Sequence, residues 1–189
     1  MQYISTRGTA PTLCFSDVLL TGLARDGGLY VPESWPQFSP RELRAMRALG
    51  YNDLAVEVLW PFVEGEIDRE DLERLVADAY STFRHQSIAP MVQVGPHHYM
   101  MELFHGPTLA FKDFALQLVG QLFDHVLKKR GERLTVVGAT SGDTGSAAIE
   151  ACRDRDQVDI FILFPTGRVS PVQQRQMTTA SSANVFALS

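Results

Sequence analysis

A parallel-sheet α/β fold preceded by a mainly helical unit is predicted from three observations. Two short apolar runs, Leu134 to Val137 and Ile160 to Phe164, have the length and residue types of buried strands. Helical stretches follow each, Ser146 to Arg153 and Ser170 to about Ala180, and Asn184 to Ser189 begins a third strand. Strands alternating with helices build βαβ units, and those build a parallel sheet. Residues 1–90, by contrast, are dominated by helical spacing, so the chain divides at Ser87-Ile88-Ala89-Pro90 into a helical unit, 1–90, and a partial α/β domain, 91–189.

The elements follow in order. Met1 to Ser5 reads as a strand entering a turn at Arg7-Gly8. Phe15, Val18, Leu19, Leu20 and Leu23 lie close to helical spacing. Asp26-Gly27-Gly28 is a tight turn, and Leu29 to Val31 is a short strand stopped by Pro32. Ser39-Pro40-Arg41-Glu42 carries a complete helix start: a capping serine, a proline at the first helical position and a glutamate to close the capping box. A further helix begins at Asn52 and ends near Pro61, and another runs from Asp68 to Arg84 with Leu72, Leu75, Val76, Tyr80 and Phe83 on one face. Met91 to Val94 and Tyr99 to Phe104 form a hairpin around Gly95-Pro96. A long amphipathic helix starts near Lys112 and ends at Gly131, with Lys128, Lys129 and Arg130 in its last turn, where the helix dipole favours cations.

Composition narrows the function. A hydrophobic share of 45% over 189 residues is ordinary for a globular protein. The formal charge of −5 argues against a nucleic-acid surface or an anionic membrane as partner. Cys14 and Cys152 make no metal pattern and read as reduced, packed thiols. No basic stretch leads into an apolar one at the N-terminus, and no apolar run approaches ~20 residues, so a cytoplasmic protein is expected.

Two stretches carry chemistry. Lys112 sits between Phe111 and Phe114 at a helix start. Aromatic neighbours and the positive end of a helix dipole disfavour an ammonium, and the neutral amine is the form that attacks an aldehyde. The residues alone favour a surface lysine with its stem on apolar neighbours. The loop Ser141 to Gly145 places small hydroxyls and backbone N–H groups between a strand and a helix, a natural anion site, though such glycines also serve a plain turn. Its spacing fits neither the dinucleotide fingerprint nor the Gly-Lys-Ser/Thr phosphate loop. His97 and His98 lie in a turn and read as solvated.

Longer runs go further. Phe104-His105-Gly106-Pro107-Thr108-Leu109-Ala110-Phe111-Lys112-Asp113-Phe114-Ala115 closely resembles the cofactor-lysine segment of the threonine synthase family. Ala139-Thr140-Ser141-Gly142-Asp143-Thr144-Gly145-Ser146-Ala147-Ala148 resembles that family's substrate loop. The likeness begins at Tyr3-Ile4-Ser5-Thr6-Arg7-Gly8, continues through Asp26 to Glu33, and is still present from Gly167 to Met177.

The resemblance implies a pyridoxal 5'-phosphate enzyme of fold type II, tryptophan synthase β-like, with the sheet incomplete in this chain. It implies a carbon–oxygen lyase that converts O-phospho-L-homoserine and water to L-threonine and phosphate, as a monomer or homodimer. Lys112 would hold the cofactor and then move protons among the substrate carbons, with Phe111 and Asp143 as cofactor neighbours. Asp143 stands where many related enzymes carry asparagine, so it would have to share a proton with the cofactor oxygen. Thr140, Ser141, Gly142, Thr144 and Thr108 would bind substrate. His105 would neighbour the cofactor, and Arg7, Arg168 and Arg175 are candidate phosphate or structural cations. Family members continue past Ser189 into a second glycine-rich loop for the cofactor phosphate and a partner for the pyridine nitrogen. The expectation is therefore an N-terminal portion that is inactive alone. Alternatives are a serine or threonine dehydratase of the same fold and a non-catalytic fragment.

Overall fold

The computed structural model describes residues 1–189 and divides into two compact units, Met1–Ala77 and Asp78–Ser189. In the first, β1 (Gln2–Ser5) is the middle strand of an antiparallel sheet, between β2 (Leu13–Cys14) and β3 (Tyr30–Pro32). Register pairs Tyr3 with Leu13 on one side and with Pro32 on the other. Then come α1 (Phe15–Thr21), α2 (Pro40–Ala45) with a 3-10 turn at Met46–Ala48, α3 (Tyr51–Val63) and α4 (Arg69–Tyr80).

Local chemistry explains these elements. Ser39 Oγ accepts from the Glu42 N–H, and Glu42 reaches back to the Ser39 N–H at 2.7 Å, which is the expected capping box. Pro61 lies inside α3 rather than ending it, and the helix runs on to Val63. Buried Tyr3 donates its hydroxyl to the Phe62 carbonyl at 2.7 Å, so that last turn is held from the sheet. Val56, Val63, Ile67, Leu72, Leu75 and Val76 complete the core of this unit. Arg69 pairs with Glu57 and Glu73 and lies over the Trp60 ring.

A hairpin, β4 (Met91–Gly95) and β5 (His98–Met101), opens the strands of the second unit. After it come α5 (Asp113–Arg130), β6 (Leu134–Ala139), α6 (Asp143–Cys152), β7 (Val158–Leu163), α7 (Pro171–Thr178) and β8 (Val185–Leu188). The last three strands form a parallel sheet in the order β6-β7-β8. The unit division falls at 77/78, earlier than the 90/91 change of pattern, because Phe83 stacks edge-on against both Tyr80 and Phe114 and the Tyr80 hydroxyl donates to the Phe114 carbonyl.

Val158, Ile160 and Ile162 of β7 point into the core with Ile149 and Ala151 of α6 and Leu118, Leu122 and Val126 of α5. Helices α5 and α6 approach so closely that a side chain at Gly120 would stand 2.2 Å from the Ala151 carbonyl oxygen. The first two strands were expected to be buried. Instead β6 alternates, and the outer face carries exposed Val137, Leu163, Phe186 and Leu188. Helix α6 begins at Asp143, three residues before the expected Ser146. Gly131 closes α5 at φ 67°, the left-handed cap its position predicts.

Candidate active site

The turn that presents Lys112 is held from within. Asp113, at the first position of α5, is fully buried. Its carboxylate accepts the Thr108 N–H at 2.9 Å and the Thr108 hydroxyl at 2.6 Å. An anion at a helix start is also favoured by the dipole. Gly106 makes room for it, since a side-chain carbon there would lie 2.4 Å from an Asp113 oxygen. Leu109 adopts φ 64°, a left-handed conformation that costs a non-glycine residue roughly 1–3 kcal/mol. The bonds on either side hold it there. Lys112 is half-buried, and its Nζ lies 4.0 Å from the centre of the Phe111 ring, whose face attracts an ammonium. Phe111 itself is 56% exposed.

The second stretch follows β6. The Thr140 N–H donates to the Leu163 carbonyl, and its hydroxyl oxygen accepts from the Gly142 N–H at 3.2 Å. Helix α6 then starts with no side-chain cap, so its first N–H groups are open to an anion. Ser141 and Thr144 are exposed there, with Gly142 and Asp143 half-buried. Gly145 cannot carry a side chain in this packing, because one would meet Thr140 Cγ2 at 2.4 Å and Met177 Sδ at 2.7 Å. An open cavity of about 450 Å³ lies at the carboxyl ends of the strands, lined by Ala139, Thr140, Ser141, Leu163, Phe164 and Leu188. That is where open α/β sheets bind ligands.

Helix α7 touches both stretches. Gln176 Nε2 donates to the Thr108 carbonyl at 3.2 Å, and buried Met177 packs toward Gly145. Ser170 caps this helix as its sequence predicts, accepting from the Gln173 N–H. Burial pushes the Glu150 carboxyl on α6 upward, Arg153 opposes the shift and the Asp113 charge adds to it. Burial likewise pushes the Cys152 thiol up to about 11, which makes it a packed, unreactive group.

The remaining candidates separate. His105 Nε2 lies 2.7 Å from Glu102 Oε2, and its ring packs at a tilt against His85. Arg7 serves a structural role, donating to the Asp26 carbonyl at 2.9 Å. Arg168 and Arg175 are exposed. Thr108 has its hydroxyl proton, N–H and carbonyl all engaged by protein groups. Sequence reasoning passed over Asp113 and Gln176. Asp113 was visible as an acid in a first helical turn, but Gln176 is 68 positions from its partner and carried no local signal.

The family pattern described as threonine synthase N terminus matches residues 2–80. Threonine synthase from Pseudomonas aeruginosa is 58% identical over 185 residues, 98% of this chain and 39% of that protein. The Schizosaccharomyces pombe threonine synthase is 44% identical over 197 residues, covering all of this chain and 38% of that protein. Among solved structures, PLP-bound threonine synthase from Brucella melitensis superposes with a TM-score of 0.96 at 61% identity, over all of this chain and 41% of that one. The yeast enzyme superposes at 0.94 with 44% identity, over all of this chain and 40% of that one. The parallel sheet and its loops therefore define a partial α/β domain of the fold type II class. Within that class the chain belongs to the threonine synthase family and corresponds to its N-terminal portion, spanning about two fifths of the length of these relatives.

Proposed function

We propose that this chain supplies the catalytic lysine and the carboxylate-binding loop of a threonine synthase acting on O-phospho-L-homoserine. The observation that carries the reading is the arrangement around α7, where the Thr108 end of the Lys112 turn and the glycine-rich start of α6 are both in contact with one helix. The residues fit pyridoxal 5'-phosphate and an amino acid: a primary amine beside an aromatic face, and uncapped helix N–H groups beside an open cavity. When bound, the cofactor supplies an electron sink at the substrate carbons. The Lys112 amine would hold the cofactor and would move protons at the substrate carbons. The N–H groups of Ser141, Asp143 and Thr144, with the Ser141 and Thr144 hydroxyls, orient the α-carboxylate. Asp143 would hold a proton toward the cofactor's ring oxygen, and Phe111 would lie beside the cofactor.

In this reading the functional domains follow the change of sequence pattern, 1–90 and 91–189, with the enzyme working in the cytoplasm as a monomer or homodimer. No helix is long and apolar enough to cross a membrane. The 189 residues alone are expected to release no phosphate from O-phospho-L-homoserine. A chimera joining them to the remaining part of the Pseudomonas aeruginosa relative is expected to release phosphate and form threonine. Release of ammonia from serine or threonine, without phosphate release, would favour a dehydratase and overturn the proposal.

A further inference from the structure

We propose that Gln176 is a positioning residue, whose amide sets the Lys112 turn against the start of α6; this rests on the reading of Lys112 given above. Thr108 uses all its polar groups. Its N–H and hydroxyl go to Asp113 inside the turn, and its carbonyl is held by Gln176, the bond that reaches it from another element. The next residue on α7, Met177, is 1% exposed and fills the space left by Gly145. One turn earlier, Gln173 Nε2 lies 3.6 Å from where a Gly142 side chain would begin. A movement of α7 is therefore transmitted to the carboxylate loop and, through Gln176, to the turn that carries the amine.

The turn needs such a hold. Leu109 is left-handed immediately after Thr108, and Lys112 follows three residues later. With the Gln176 donor removed, the Thr108 carbonyl turns to water and the strained turn samples other conformations. The amine then spends less time where an aldehyde can reach it.

Lys112, Lys128 and Lys129 are the chain's three lysines, and the latter two lie at the far end of α5, so each molecule carries its own controls. The experiment uses the 189-residue chain and two near-isosteric variants, Gln176→Met, which lacks the donor, and Gln176→Glu, which presents an acceptor. Each is treated with pyridoxal phosphate and borohydride and mapped by mass spectrometry, and amide hydrogen exchange is followed in parallel. Both variants are expected to lower labelling of Lys112 relative to Lys128 and Lys129 by about 3- to 10-fold, the worth of one neutral hydrogen bond. Exchange should speed up at the Thr108 and Leu109 amides while α5 stays protected. Gln176→Arg, which restores a donor, should recover part of the ratio. Unchanged ratios and exchange in both variants would overturn the proposal. So would loss of protection throughout α5, which would make Gln176 a general packing residue. If the unaltered chain shows no preference for Lys112, the reading of Lys112 fails, while exchange at Thr108 and Leu109 still decides whether Gln176 holds the turn.

Discussion

Asp113 accepts both the backbone N–H and the hydroxyl of Thr108, at 2.9 and 2.6 Å, from a fully buried carboxylate. The residue after the candidate catalytic lysine thereby fixes the residue four before it. Removing the carboxylate leaves two half-buried donors without their acceptor, so Asp113→Ala is expected to cost about 1–3 kcal/mol of stability. Urea denaturation of the 189-residue chain measures it. A loss below about 0.5 kcal/mol, the range of neutral surface changes, would mean that the turn stands without this clamp.

Neighbouring glycines should respond in opposite ways. A side chain at Gly145 meets Thr140 and Met177 well inside contact distance, whereas one at Gly142 meets Gln173 Nε2 at an ordinary 3.6 Å. Gly145→Ala should therefore destabilise by about 1–3 kcal/mol through overpacking. Gly142→Ala should stay within about 0.5 kcal/mol. Thermal unfolding of both variants checks the contrast, and equal effects would refute the packing described for α7 and α6.

Acid should weaken the first unit through Asp26. Its carboxylate accepts from the Ser5 hydroxyl at 2.7 Å and from the N–H groups of Gly28, Thr9 and Ala10. The Ser5 bond, then those amides, hold the carboxyl well below the usual range. A depressed value means that the folded state binds the proton less readily than the unfolded chain. The contribution is complete above about pH 4, the unfolded carboxylate value, and is lost as pH falls through the folded value. Asp26→Asn should be less stable than the unaltered chain at pH 6, and the gap should shrink steadily toward pH 2. A gap independent of pH would show that the charge plays no part.

What could be read from the sequence was local. The Ser39–Glu42 capping box, the Gly131 cap and the Ser170 cap each depend on residues within one turn, and all stand where the sequence put them. The parallel strands announced themselves by apolar runs between turn signals. The start of α6 was misplaced because Ser141-Gly142-Asp143-Thr144-Gly145 has loop composition, and contacts from Thr140 and Met177 favour the helix over that preference. Asn184, whose amide donates to the carbonyls of Cys152, Arg155 and Val158, was invisible for the same reason as Gln176: its partners lie 26 to 32 positions away. At the site, the lysine and the loop were legible as motifs. The clamp and the helix that bridge them were not.

In the chimera with the Pseudomonas aeruginosa relative, Thr144→Val is expected to raise the substrate KM about 10- to 100-fold, the equivalent of one hydrogen bond to a charged group. Cofactor uptake, read by absorbance, should change little. Equal losses of both would mark the stretch from Ser141 to Gly145 as a purely structural turn.

The central claim is that Lys112 is the amine that carries the cofactor, and borohydride fixation followed by peptide mapping tests it most directly. Treated with limiting pyridoxal phosphate, the chain should carry the label predominantly on the peptide containing Phe111-Lys112-Asp113, and Lys112→Ala should remove it. A label shared evenly with Lys128 and Lys129, or retained in Lys112→Ala, would contradict the account.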